Sequence, residues 1–226
     1  VDEIKTIPLY KDLYTIIYTL INSYWDIGKI GIGPYFKLLS FNQMEGLRPQ
    51  FGLHTSKDFS KTDRFMVYAA YGIRDKTLKG GGEWEHLFSR DPWIKLYSEI
   101  KYDVYQIGAG DNALTEGNMF ASIFGGSHGT RPCMTSSFKL NYEQEVNPSF
   151  TFGAGLNFSR YYGTGELFVP MIATSGRTIP SVAKNEFYLM ATFSKDETVN
   201  KGYFIKQSVH SNYPIIRIDL SAGIPG

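Results

Sequence analysis

Glu83 and Glu85 stand two residues apart, the spacing that puts two side chains on one face of a strand. There one carboxyl could donate a proton while the other accepts it. The same pair, facing a polar interior, serves equally well to balance basic neighbours. His54 and His86 are single histidines without a Cys or Asp at ligand spacing, so metal binding is not expected of either. Gly108-Ala109-Gly110-Asp111-Asn112 has the small residues of a cation-binding turn but lacks the acidic ladder of an EF-hand loop. Gly80-Gly81-Gly82 has no helix behind it to complete a phosphate cradle. In mid-strand it reads as a close backbone approach or a kink. Ser127, His128 and His210 make a poor hydrolase set, because neighbours such as Ser127 and His128 point to opposite sides of an extended chain. Asp103, Asp111 and His128 remain as weak candidates for a hydrolytic site near loop ends. No catalytic residue, cofactor or metal site is assigned.

What would position these residues is a set of strands. Sixteen Tyr, 16 Phe and 23 Gly among 226 residues favour strands and tight turns over helices. Lys+Arg (23) and Asp+Glu (22) nearly cancel, so no long-range field points to nucleic acid. Cys133 stands alone, which rules out an internal disulfide framework and reads as a small apolar residue at a strand start. The stretch from Val1 to Lys5 has no basic region before an apolar core, as a signal peptide would, so the chain reads as a mature form or a piece of something longer. No run of 18 apolar residues is present, so no transmembrane helix is expected; a transmembrane barrel would need none.

The spacing of Leu9, Leu13, Ile16, Ile17, Leu20, Ile21 and Tyr24 predicts an amphipathic helix within residues 1–26. From residue 27 to 226 the period is two. Lys29–Leu38 and Leu47–Thr55 alternate, the second setting Leu47, Phe51 and Leu53 against Arg48, Gln50 and His54. Ile94–Asp103 sets Ile94, Leu96, Ile100 and Tyr102 against Lys95, Glu99, Lys101 and Asp103. Phe138–Glu143, Phe150–Ser159, Glu186–Ser194 and Ile216–Ala222 follow the same scheme, and 64–73, 77–88 and 201–209 follow it less cleanly. About ten segments of roughly ten residues result. That is longer than the usual soluble strand of about 5–6 residues and close to the 9–11 that cross a bilayer at a tilt.

The connections also sort into two classes. Ser56–Thr62, Ser89–Pro92, Val146–Ser149 and Lys195–Asn200 read as short turns, while those around 41–45, 73–77, 104–131 and 161–183 alternate with them and include two long ones. Outer-membrane barrels have short turns on the periplasmic side and longer loops outside. The expected fold is therefore all-β, an antiparallel meander of about ten long strands forming all or part of a transmembrane outer-membrane β-barrel. The chain does not end on a strand closed by an aromatic residue, so the barrel is expected to be incomplete at the C-terminus. Its polar face nominates Lys37, Arg48, Lys95, Glu99, Lys101, Asp103, Lys139, Glu143, Arg217 and Asp219 as lumen-lining residues.

Gly33-Pro34-Tyr35, Ser40-Phe41-Asn42, Glu45-Gly46-Leu47-Arg48, Phe51-Gly52 and Thr55 occur in an order and spacing that resembles the first hairpins of a known group. Tyr71-Gly72, Asp75, Lys79-Gly80 and Phe88-Ser89-Arg90-Asp91-Pro92-Trp93 extend the likeness, which spans about residues 5–125. The group is a Bacteroidetes outer-membrane family of unknown function whose members carry a carboxypeptidase-regulatory-like domain before the barrel. The resemblance implies a parent longer at both ends, and no peptidase. That family is in turn similar to barrels that insert outer-membrane proteins or secrete a partner chain. The Arg-Gly-Phe or Arg-Gly-Tyr motif of those barrels has no counterpart in this sequence, Gly46-Leu47-Arg48 being a different run.

The leading expectation is a non-enzymatic outer-membrane barrel with a transport, assembly or envelope-anchoring role. Its partners would be the lipid bilayer and other outer-membrane or periplasmic proteins, without nucleic acid or cofactor. Two alternatives remain open: a barrel hydrolase with its site at the extracellular rim, and a soluble barrel whose apolar faces turn inward around a hydrophobic ligand. The direction in which the Phe, Leu and Ile faces point separates the first from the last.

Overall fold

A computed structural model of the chain describes residues 24–42, 44–107, 131–163, 171–172, 176 and 178–225. The residues on which the N-terminal helix rests lie almost wholly outside these, as do Asp111, Ser127, His128 and the 108–112 turn. Where the helical stretch was expected to end, Trp25–Ile27 is already extended.

The strands in chain order are β1 (Trp25–Ile27), β2 (Ile30–Ile32), β3 (Leu39–Asn42), β4 (Gly46–Thr55) and β5 (Asp63–Tyr71). Then come β6 (Leu78–Arg90), β7 (Trp93–Ile107), β8 (Arg131–Asn147) and β9 (Phe150–Tyr162). After the short β10 (Met171–Ile172) and β11 (Thr178–Ile179) follow β12 (Ser181–Phe193), β13 (Glu197–Lys201), β14 (Lys206–Ser211) and β15 (Ile216–Gly223). One antiparallel sheet of 11 strands runs β1-β2-β4-β5-β6-β7-β8-β9-β12-β15, with β3 paired to β4. Among the described residues this sheet is open, with β1 and β15 at its edges. The expected antiparallel meander is present; closure is not.

Two expected strands take a different form. Lys29–Leu38 is broken: β2 pairs with Leu53–Thr55 and β3 with Gly46–Pro49, so both lie along β4 with a 3-10 turn at Tyr35–Lys37 between them. Pro34 has no N–H to give the ladder, and the Gly33 carbonyl packs where a Cβ on Gly52 would stand. Lys37 therefore lies in a turn and not in a long strand of the sheet. The second departure is 201–209. It joins no strand of the main sheet; β13 and β14 pair only with each other. The expected short turn at Lys195–Asn200 is the start of a 22-residue excursion, 194–215, between β12 and β15.

The other short connections are as expected: 56–62, 91–92 and 148–149 leave one end of the sheet, and 72–77, 108–130 and 163–180 the other. Strand polarity follows because every neighbour is antiparallel. Burial is inverted relative to a soluble sheet. Lys79 (2%), Glu85 (4%) and Asp103 (5%) are buried, while Ile100 (65%), Val67 (54%) and Leu220 (63%) are exposed. The register puts Ile100 beside Phe138 and Phe138 beside Phe158, so one continuous face is apolar and open. The buried apolar cluster of Leu87, Trp93 and Phe204 lies on the opposite, polar face.

Candidate functional site

The polar face is built by strand periodicity: Arg48 on β4, Arg64 and Tyr68 on β5, Lys79, Glu83 and Glu85 on β6, Lys95, Glu99, Lys101 and Asp103 on β7, Lys139, Glu143 and Glu145 on β8. Its charges are paired in three tiers.

Nearest the long connections, the Arg48 guanidinium donates to Asp103 at 2.8 Å and to Glu45 at 3.1 Å. The Tyr68 hydroxyl donates to the same Asp103 oxygen at 2.6 Å. To get there the Tyr68 ring crosses β6 above Gly81, where an added Cβ would come within 2.8 Å of it. The Lys79 ammonium lies 2.8 Å from Glu45 and 2.5 Å from Asp75 and is wholly buried. Charges so far from water persist only when paired, and each here has a partner.

The middle tier is looser. Tyr97 donates to Glu99 at 2.9 Å, and Lys139 stands 3.9 Å from Glu99. Lys101 shares this face with Asp103, and Glu143 is in register with Lys95.

At the short-turn end Glu85 takes Arg64 at 2.5 Å and Lys95 at 2.6 Å. The β13–β14 hairpin sits over this tier. Lys201 reaches Glu145 and Asp91, both at 2.9 Å, and Lys206 lies 3.1 Å from Glu145. Burial disfavours the Lys201 charge, but its hydrogen bonds to Glu145 and Asp91 outweigh that and raise its pKa above the ordinary lysine value.

Of the ten nominated residues, Arg48 and Asp103 meet directly, and Lys139 approaches Glu99. Lys95 meets Glu85, whose spacing from Glu83 suits an acid–base pair. Arg217 and Asp219 pair with each other at 2.9 Å on the exposed edge strand β15. Sequence reading missed Glu45, Asp75, Lys79, Arg64, Glu145, Lys201 and Lys206. Strand parity could have found Arg64, Lys79 and Glu145; Glu45 and Asp75 lie in connections, where alternation gives no signal.

The other candidates for chemistry are structurally engaged. Glu85 is held by two cations, and Asp103 by a guanidinium and a phenol, so neither is a free base. His54 pairs with Asp26 and His86 with Asp63, each at 2.8 Å. His210 contacts Asn212 at 2.9 Å. No cluster of three metal-ligating side chains occurs among the described residues.

Residues 12–162 match the family of unknown function (DUF5686) C-terminal domain. No curated protein and no solved structure matches the chain.

Proposed function

The chain belongs to the family of unknown function (DUF5686) C-terminal domain, and on that premise we propose that it is wall of a transmembrane outer-membrane β-barrel. Its role on this reading is non-enzymatic: transport, assembly or anchoring at a Bacteroidetes cell envelope. The observation that carries the reading is the inversion of burial. Charged side chains fill the sheltered face, and Phe, Ile, Leu and Val cover the open one. Contiguous apolar surface on this scale is costly in water and neutral in lipid.

Aromatic placement supports it. On the apolar face Phe65 stacks on Trp84 (6.4 Å between centroids) and Phe150 lies tilted against Phe193 (4.8 Å), all near the short-turn end. Tyr71, Tyr102 and Tyr162 stand on the same face near the other end. From Phe150 to Tyr162 along β9 is about 40 Å at roughly 3.3 Å per residue. A tilt of about 45° reduces that to about 28 Å, near the height of a barrel's apolar band between its aromatic girdles. The short turns then face the periplasm and the long connections the exterior.

Spin labels on the full-length protein in liposomes test this. Labels at Val67, Ile100 and Phe138 should be relaxed by oxygen and shielded from a water-soluble nickel chelate, and a label at Lys101 the reverse. Nickel access at all of the first three positions would overturn the membrane reading.

A further inference from the structure

Antiparallel neighbours need only a tight turn. β6 and β7 are joined through residues 91–92, and β8 and β9 through 148–149. β12 and β15 are equally adjacent and antiparallel, yet 22 residues, 194–215, run between them. Topology does not require that length. The excess forms the β13–β14 hairpin, whose strands pair in register from Glu197–Ser211 to Lys201–Lys206 with one bulge.

The hairpin belongs to no wall strand and lies against the polar face. Phe204, at its tip, is buried between Leu87 and Trp93. The Phe204 carbonyl accepts from the Lys95 ammonium at 2.9 Å, and the Arg64 guanidinium lies 5.3 Å from the Phe204 ring centroid. Arg90 covers Tyr203 at 3.9 Å. Lys201 bridges Asp91 and Glu145, and Lys206 joins Glu145 and donates to Thr151 at 3.1 Å. These contacts tie the hairpin to β5, β6, β7, β8 and β9 at the short-turn end.

We propose that the 194–215 hairpin is a releasable plug that closes the short-turn mouth of the barrel, with Phe204 as its anchor and Glu145 as its clamp. The inference rests on the membrane-barrel reading above. Release would leave every ladder of the wall sheet intact, because the hairpin is paired only within itself. A two-stranded hairpin alone is marginal in water, so its order depends on these docking contacts. The Glu145 carboxylate is buried and satisfied by Lys201 and Lys206, so the clamp holds only while those cations stay in place, and Phe204 adds its burial against Leu87 and Trp93. The arrangement suits an element that stays seated at rest and leaves when a competing ligand or partner engages Glu145 or the Phe204 pocket.

The test is conductance of the full-length protein in planar lipid bilayers. Replacing residues 196–213 by an Asn-Gly turn should raise single-channel conductance at least tenfold. Phe204→Ala and Glu145→Gln, which leave the wall strands intact, should raise the fraction of time open severalfold. Phe204→Cys should react with a membrane-impermeant maleimide slowly in the parent background and much faster when combined with Glu145→Gln. Unchanged conductance in inserted protein bearing the point variants would overturn the plug alone. Failure of the parent protein to insert would overturn the membrane reading, and the plug with it.

Discussion

Arg48 on β4 and Asp103 on β7 meet at 2.8 Å across two intervening strands. Three strand spacings in a flat sheet amount to about 14 Å, farther than these side chains bridge once their stagger along the strands is added. The sheet therefore curls with its polar face inside, and Ala70, small and buried on β5, leaves room for the contact. Asp103→Asn should cost about 3 kcal/mol, the lower end for breaking a buried pair, since Arg48 keeps Glu45. Tyr68→Phe removes one charge-assisted bond and should cost about 1.5–3 kcal/mol. Urea unfolding in detergent micelles measures both. Values near zero would show the pair to be solvated and the curl looser than described.

Gly81 is the floor over which Tyr68 crosses β6. A Val side chain there occupies the path of the ring, and the hydroxyl loses Asp103. Gly81→Val should destabilise by about 1–3 kcal/mol, as overpacking does. Combined with Tyr68→Ala, the same substitution should cost less, keeping only the crowding of its Cβ against the Ile100 carbonyl at 3.0 Å. Additive losses in that double variant, measured by the same unfolding assay, would refute the crossing.

Much of the main sheet is legible because alternation is local. Ile94–Asp103 falls within β7 with the expected faces, and Arg48 and Asp103 both stand on the expected polar side. What was illegible depends on register or on distant partners. That Gly81 matters follows only from Tyr68 facing it across the ladder. The break after Ile32 was signalled by Pro34, but alternation on both sides masked it. The 201–209 stretch follows the period of two only loosely, and its place on the polar face depends on Lys201 reaching Glu145, 56 residues away. The pairing of Lys79 with Glu45 likewise needs the fold, because one partner sits in a connection.

Charge on the apolar face separates lipid from water. On the membrane reading, Phe138→Arg should destabilise the protein by about 2–4 kcal/mol, the cost of a cation near the bilayer midplane. Lys139→Ala, on the adjacent inward position, loses only a 3.9 Å pair with Glu99 and should cost under about 1 kcal/mol. Refolding into liposomes with tryptophan emission as readout gives both values. A Phe138→Arg protein as stable as the parent would mean that this face meets water.

The hairpin's seat should depend on pH through Lys201. Its folded pKa is raised above the unfolded value of about 10.4, so its contribution is fully present below that value and fades as pH rises through the folded pKa. Lys201 is held between the Asp91 and Glu145 carboxylates, with Lys206 on the same Glu145 and Arg64 and Arg90 against the hairpin tip, and Glu145 is kept below the usual carboxylate range by its lysine partners. Docking should therefore hold at neutral pH and weaken above about pH 10. Trp93, buried against Phe204, reports it. With Trp25 and Trp84 replaced by Phe, iodide should quench Trp93 weakly at pH 8 and progressively more as pH rises past the ordinary lysine range. Lys201→Arg carries a charge that persists through this range and should move the transition upward. A transition unmoved by that substitution would assign the pH dependence to another group and leave Phe204 as the main hold on the hairpin.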